Sequence, residues 1–146
     1  MAPTANLKLT DIRDPAAMAQ AWELRRRVFI EEQDVPEEIE LDADDAVATH
    51  VLALDGAEPV GCGRMVAHGD YVKIGRMAVL RERRGEGIGR RVLEYLMELA
   101  RQRGFRRAIL HAQLTAEGFY LKQGYVPRGD PFEEAGIAHR LMDREL

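Results

Sequence analysis

Apolar and polar residues alternate with a period of two in several short stretches and recur at three and four in others, so the chain reads as an ordered series of strands and helices. Leu7, Leu9 and Ile12 predict a strand near residues 6 to 12. Asp14-Pro15 joins an N-cap to a first-turn proline. Met18, Ala21, Trp22, Arg25, Val28 and Phe29 then recur at helical spacing, which predicts a helix to about Glu32, where Asp34-Val35-Pro36 breaks it. The acidic run beyond it, to Asp45, reads as a loop with room for one helical turn. Residues 47 to 54 are strand-like, residues 55 to 59 carry hairpin-turn chemistry, and residues 60 to 67 return as a second strand. Gly69-Asp70 turns the chain again, and residues 71 to 79 complete an antiparallel meander.

Ile88, Val92, Leu96 and Leu99 share one helical face, and Gly104 supplies the stop. Residues 108 to 114 suit a buried strand, residues 116 to 122 a short helix ended by Gly124, and residues 137 to 142 a terminal strand, with one or two strands in all after that helix. A strand-helix-strand step after a meander implies a parallel crossover, which has to be covered. The expected class is α/β, a single domain over residues 1–146. Its central sheet should be twisted, mixed and mostly antiparallel, with helices on both faces.

Composition narrows the function. At 146 residues and 46% hydrophobic the chain can build one core of its own. A net charge of -4 lacks the basic excess that wrapping nucleic acid requires. The one cysteine, Cys62, excludes an internal disulfide and a cysteine-built zinc site, and fits a reducing compartment. No apolar run approaches the length of a signal peptide or membrane span, so a cytoplasmic protein is expected. No metal is expected, and the chain should be a monomer or a homodimer, the dimer forming across an exposed edge at the C-terminal strand.

Gly85, Gly87 and Gly89 lie between a strand ending near Val79 and the helix starting near Gly87, among Arg81, Arg83, Arg84, Arg90 and Arg91. Glycines let backbone N–H groups approach a ligand, and a helix N-terminus adds roughly half a positive charge. That is anion-binding chemistry. A dinucleotide fingerprint would need glycine at position 90, which is Arg90, and the Gly-Lys-Ser/Thr of a P-loop is absent. On the local pattern alone, a flexible turn beside a solvated arginine face remains open.

The run from Val79 to Gly89 resembles the Arg/Gln-x-x-Gly-x-Gly/Ala motif of the GNAT superfamily of N-acetyltransferases, matching at Arg84, Gly87 and Gly89. Phe119-Tyr120-Leu121-Lys122-Gln123-Gly124-Tyr125 is similar to a second segment of that family. The stretches from Arg25 to Gln33, Glu40 to Asp42, His111 to Gln113 and Phe132 to His139 extend the likeness to the ElaA-type subgroup, over nearly the whole chain. The resemblance implies acetyl-CoA as co-substrate. It carries contacts with the pantetheine arm onto Met77, Ala78 and Val79, and contacts with the pyrophosphate onto Arg84, Gly85, Gly87, Ile88, Gly89 and Arg90. Gln113 stands where the family usually has Asn, and joins Phe119 as a further cofactor contact.

The same resemblance gives Tyr120 the role of proton donor to the departing thiolate. A thiol of pKa about 8.5 leaves more easily when a phenol of pKa about 10 donates to it. Otherwise Tyr120 is a core tyrosine with a satisfied hydroxyl. The Glu that serves some members as base has no counterpart in Lys73-Ile74-Gly75-Arg76. Freeing a lysine amine at pH 7 costs about 4 to 5 kcal/mol, against about 1 for an α-amine, so the base matters. By residue type, His111 and His139 are the candidates for a base near physiological pH. His111 opens a buried strand and reads as a core histidine; His139 is the preferred catalytic candidate, on the resemblance. Glu32, Gln33 and His139 are the acceptor-side candidates. The acidic run from Glu31 to Asp45 is expected to be mostly solvated, although clustered carboxylates would also attract a cationic acceptor.

The expected reaction is direct transfer of acetyl to an amine, with backbone amides steadying the oxyanion. Cys62 as a covalent nucleophile is the rival within catalysis, but a packed thiol fits its place between two glycines. The rival outside catalysis is a CoA-binding sensor or partner-binding module that has lost turnover.

Overall fold

The computed structural model describes residues 6–146. Seven strands form one sheet in the order β1-β2-β3-β4-β5-β7-β6: β1 Leu7–Asp11, β2 Thr49–Asp55, β3 Glu58–His68, β4 Tyr71–Val79, β5 Arg107–Gln113, β6 Val126–Glu134 and β7 Ile137–Glu145. Every neighbouring pair is antiparallel except β4 and β5, which run parallel. The parallel step needs a crossover. Helix α3, Ile88–Gln102, supplies it.

Helices cover both faces, and β3 shows why. A Cβ built on Gly61 would come within 2.8 Å of Ile88, and one on Gly63 within 3.0 Å of both Leu96 and Val92. Side chains alternate along a strand, so Gly61 and Gly63 let α3 lie close on one face while Cys62 points to the other. That second face carries α1, Pro15–Arg25, whose Ala21, Leu24 and Arg25 are buried. Trp22, expected inward, is 46% exposed because the buried stripe runs one residue to its side.

The predicted helix to Glu32 forms, but its second half is a π-helix, Arg26–Glu32, in which the backbone bonding lengthens to i→i+5. The acidic run after it holds a short helix, α2 Glu37–Glu40, and a 3₁₀ turn, Ala43–Ala46. Glu40 is buried, contrary to the solvated loop expected, because the side chains of this run are tied to arginines of the sheet and of α1. Helix α4, Glu117–Lys122, follows β5. The C-terminal strand is not the exposed edge expected of it: β7 is enclosed between β5 and β6, and β6 forms the edge. Pro127 and Pro131 sit in that edge strand, where a missing N–H is tolerated and further strand pairing is discouraged.

Candidate active site

The parallel strands separate partway along. β4 pairs with β5 only from Tyr71↔Arg107 to Ile74↔Leu110. Beyond that point the β3–β4 register skips between Cys62 and Arg64, and Arg76 adopts φ +51°. A bulge bends and twists its strand. β4 therefore turns away from β5, while β5 stays paired with β7 as far as Gln113↔His139. The opening is a crevice of about 800 Å³. Along its β4 wall, residues 75 to 79 have no strand partner on the β5 side, so an extended ligand could pair there.

The glycine-rich turn closes one end. A 3₁₀ turn, Arg81–Arg83, leads into Gly85 at φ +82° and Gly87 at φ +84°. Gly87 starts α3, and no side chain among the described residues caps that N-terminus. The nearest atom to a Cβ built on Gly87 is Arg90 Nη2 at 3.9 Å, and around Gly85 there is open space. The turn thus offers backbone N–H groups at a helix N-terminus beside open space, which is chemistry suited to an anion. Gly89 packs against Val79 and Phe119, whereas the Ile88 side chain is core, leaving only its backbone at the turn. Arg84 is held by Glu32 through two hydrogen bonds of 2.6 and 2.8 Å, and its Nε donates to the Val79 carbonyl.

Met77, Ala78, Val79, Arg84, Gly85, Gly87, Gly89, Arg90, Phe119, Tyr120, Gln113, Gln33 and His139 all line the crevice. Glu32 does not; it reaches the site through Arg84. Gln33 and Gln113, expected on the acceptor and cofactor sides, bond to each other at 2.9 Å across 80 residues of chain. The end of the π-helix thus touches both crevice walls.

Tyr120 lies at the bottom of α4, 9% exposed and packed edge-to-face on Phe119. Burial pushes its phenol up to about 12, so it stays protonated at neutral pH. Cys62 is also buried; burial pushes its thiol up to about 12, which leaves negligible thiolate for nucleophilic attack.

Two groups of side chains come together at the crevice through contacts that no local sequence pattern marks. Arg25 and Arg64 are buried and meet at Asp45; Arg25 also binds Glu40 at 2.5 Å, and Arg64 binds Asp42 at 2.7 Å. Arg76 donates to the Glu40 carbonyl and to Asp42. Hydrogen bonding from Arg64 holds the Asp42 carboxyl down at about 2 against burial, with the charges of Arg64 and Arg76 adding to it. A carboxyl depressed on folding, from about 3.9 in the unfolded chain, contributes stability above that value and loses it as pH falls through the folded value. Urea midpoints measured from neutral to acid pH should therefore drop between about pH 4 and pH 2, and Asp42→Asn should flatten that drop while lowering stability at neutral pH.

The second group joins three strands. His111 Nδ1 lies 3.1 Å from Glu134 Oε1, and His139 Nε2 lies 3.8 Å from Glu134 Oε2. Glu134 falls inside the stretch that resembles the ElaA-type pattern, but its approach to both histidines depends on strand register and not on spacing. Among the described residues, no group of three or more His, Cys, Asp or Glu could hold a metal ion, and no helix is long and apolar enough to cross a membrane.

The chain is similar to known proteins over nearly its whole length. The family profile described as an acetyltransferase (GNAT) domain matches residues 11–146. Bacillus subtilis YjcF, described as an uncharacterized N-acetyltransferase, is 34% identical over 95% of this chain and 100% of its own. Escherichia coli ElaA is 31% identical over 85% of this chain and 84% of its own, and its crystal structure superposes with a TM-score of 0.85 over 95% of this chain and 99% of that one. An acyl-CoA N-acyltransferase from Pseudomonas aeruginosa gives a TM-score of 0.85 at 26% identity, over 94% and 99% of the two chains.

Proposed function

We propose, from the premise that this chain belongs to the GNAT acetyltransferase family, that it transfers the acetyl group of acetyl-CoA directly to an amine bound beside His139. The acetyl-CoA would supply a thioester carbonyl open to attack and a thiol as leaving group. Its pyrophosphate would rest on the N–H groups from Gly85 to Arg90, and its pantetheine arm along Met77, Ala78 and Val79. The observation that supports this reading is the opening of β4 from β5 between an uncapped helix N-terminus and Tyr120, because the glycine-rich turn and a protonated phenol line one crevice.

Each remaining role falls to a residue in that crevice. Tyr120, neutral and a donor, would give its proton to the departing thiolate. His139 would take the proton from the acceptor nitrogen. Glu32 would hold Arg84 over the turn, and Gln33 with Gln113 would border the acceptor side. No covalent intermediate on the chain is required, and the buried, protonated Cys62 fits that.

The decisive experiment is a panel of small-molecule amines and peptide α-amines with acetyl-CoA, monitored by free thiol release. Turnover above the amine-free rate is expected, and Cys62→Ala should retain it within about threefold, since a packed thiol contributes only volume there. Loss of turnover in Cys62→Ala with acetyl-CoA binding intact would overturn direct transfer. The Gln33–Gln113 bond, which occupies the amide expected to contact the cofactor, favours the second reading, a CoA-binding module. That reading requires tight acetyl-CoA binding with no thiol release across the panel.

A further inference from the structure

His111, Glu134 and His139 sit on three adjacent strands and present their side chains to one face. Gln113 opposes His139 across β5 and β7, so His111 and His139 are diagonal neighbours. Phe132 opposes His139 across β6 and β7, so Glu134 is diagonal to His139 as well. The Phe132 ring stacks on His139, with centroids 6.1 Å apart and planes at 20°, and meets His111 edge-on at 5.0 Å. It fixes the spacing of the two imidazoles. Glu134 is delivered by the hairpin turn just after it, where Ala135 and Gly136 both have positive φ, +53° and +76°. Alanine is an uncommon residue in that conformation.

The hydrogen bonds define where the ring protons are. His139 Nδ1 lies 2.7 Å from the carbonyl of Ile137. A carbonyl only accepts, so Nδ1 carries a hydrogen, and in the neutral ring Nε2 is then the lone pair. That lone pair faces Glu134 Oε2 at 3.8 Å, too far for a hydrogen bond but within strong electrostatic range. The other carboxylate oxygen accepts from His111 Nδ1–H, which anchors it. Lys73 of β4 lines the same part of the crevice. Burial opposes ionisation of Glu134, but the His111 hydrogen bond and the charges of His111, His139 and Lys73 hold its carboxyl below the usual range.

We infer that Glu134 is a positioning residue that makes His139 the proton acceptor of this site, standing beside Nε2 as the counter-ion of the imidazolium formed during transfer. In that step an N–H bond of the acceptor ammonium breaks, its electron pair remains on the acceptor nitrogen, and the proton bonds to the Nε2 lone pair. Glu134 stays a carboxylate throughout and His111 keeps it in place. This supplies the base that the sequence Lys73-Ile74-Gly75-Arg76 lacks, and it rests on the amine acceptor and His139 base proposed above.

Glu134→Gln keeps the side-chain size and removes the charge at a half-exposed position, so the fold should survive; Glu134→Asp keeps the charge. Long-range ¹H–¹⁵N NMR of the protein alone, from pH 5 to 8, reports which ring nitrogens of His139 carry protons. With Glu134→Gln the share of His139 that is doubly protonated at a given pH should fall, as expected on losing a nearby opposite charge. The acid limb of kcat/KM for thiol release should move accordingly, the plateau should fall about tenfold, and Glu134→Asp should restore the limb. Unchanged His139 protonation in Glu134→Gln overturns the inference. If that protonation is unchanged while His139→Asn abolishes turnover, the inference alone has failed. If His139→Asn retains full turnover, the His139 base has failed and Glu134 has no catalytic use.

Discussion

Tyr120→Phe is expected to lower kcat for thiol release by about 10²-fold or more, while acetyl-CoA affinity stays within about twofold. The substitution removes only a hydroxyl. The ring keeps its edge-to-face contacts with Phe119 at 4.9 Å and Tyr125 at 5.9 Å, so neither α4 nor the crevice wall has reason to shift. A proton that is given up only as the carbon–sulfur bond breaks contributes to the transition state and not to the bound ground state. The loss should therefore appear in kcat and kcat/KM alike, with little change in KM. The phenol is well placed to hold its proton until then, since burial drives it up to about 12. Calorimetry for affinity beside a thiol-release assay for rate separates the two effects. A variant with full kcat would remove Tyr120 from the chemistry.

Arg25→Ala should destabilise the protein by about 3 to 5 kcal/mol, the cost of leaving buried charge without its partner. Arg25 is 1% exposed and binds both Glu40 and Asp45; Glu40 is 2% exposed, and its Oε2 already lacks a hydrogen-bond partner among the described residues. Truncation would leave Glu40 Oε1 facing only Arg76 Nε at 3.6 Å among the described residues. A protein of this size loses roughly 2 to 4 °C per kcal/mol, so Tm should fall on the order of 10 °C by calorimetry. Arg25→Met combined with Glu40→Leu should recover part of that loss, because a well-packed apolar pair avoids burying the charges at all. If Arg25→Ala melts within about 2 °C of the wild type, the network is not a stabilising element.

Much of the scaffold is legible in the sequence because it rests on local side-chain periodicity. Residues 71 to 79 carry a strand pattern over the same span that β4 occupies, and the Ile88, Val92, Leu96 stripe marks the buried face of α3. The turn from Arg84 to Gly89 is legible because glycine has a conformational meaning of its own, and Gly85 and Gly87 do adopt positive φ. The π-helix is not legible, since side chains do not report whether the backbone bonds to the fourth or the fifth residue. β6 is hidden by Pro127, Gly129 and Pro131, which an edge strand accepts and a sequence pattern presents as loop.

At the crevice, many residues that the sequence marks by type line one space, whereas relations between them are not visible in the sequence. An acidic run reads as solvated until Arg25, Arg64 and Arg76 arrive from other elements to bind it. The Gln33–Gln113 bond spans 80 residues. The contact of Glu134 with His111 depends on β7 lying between β5 and β6, an order that no local pattern announces.

The π segment has a consequence for how such a crevice can change in evolution. Its longer bonding pattern takes up one more residue than an α-helix would use between the same two ends. Deleting one codon between Arg26 and Phe29 would let the segment close in the ordinary pattern with its two ends still in register, so Glu32 would stay on Arg84 and Gln33 on Gln113. In the opposite direction, a one-codon insertion in an ancestral helix would be absorbed as the π segment with both bridges kept. The helix wall of the crevice can thus gain or lose a residue in a single mutational event, with the bridges, the strands and the glycine-rich turn inherited unaltered.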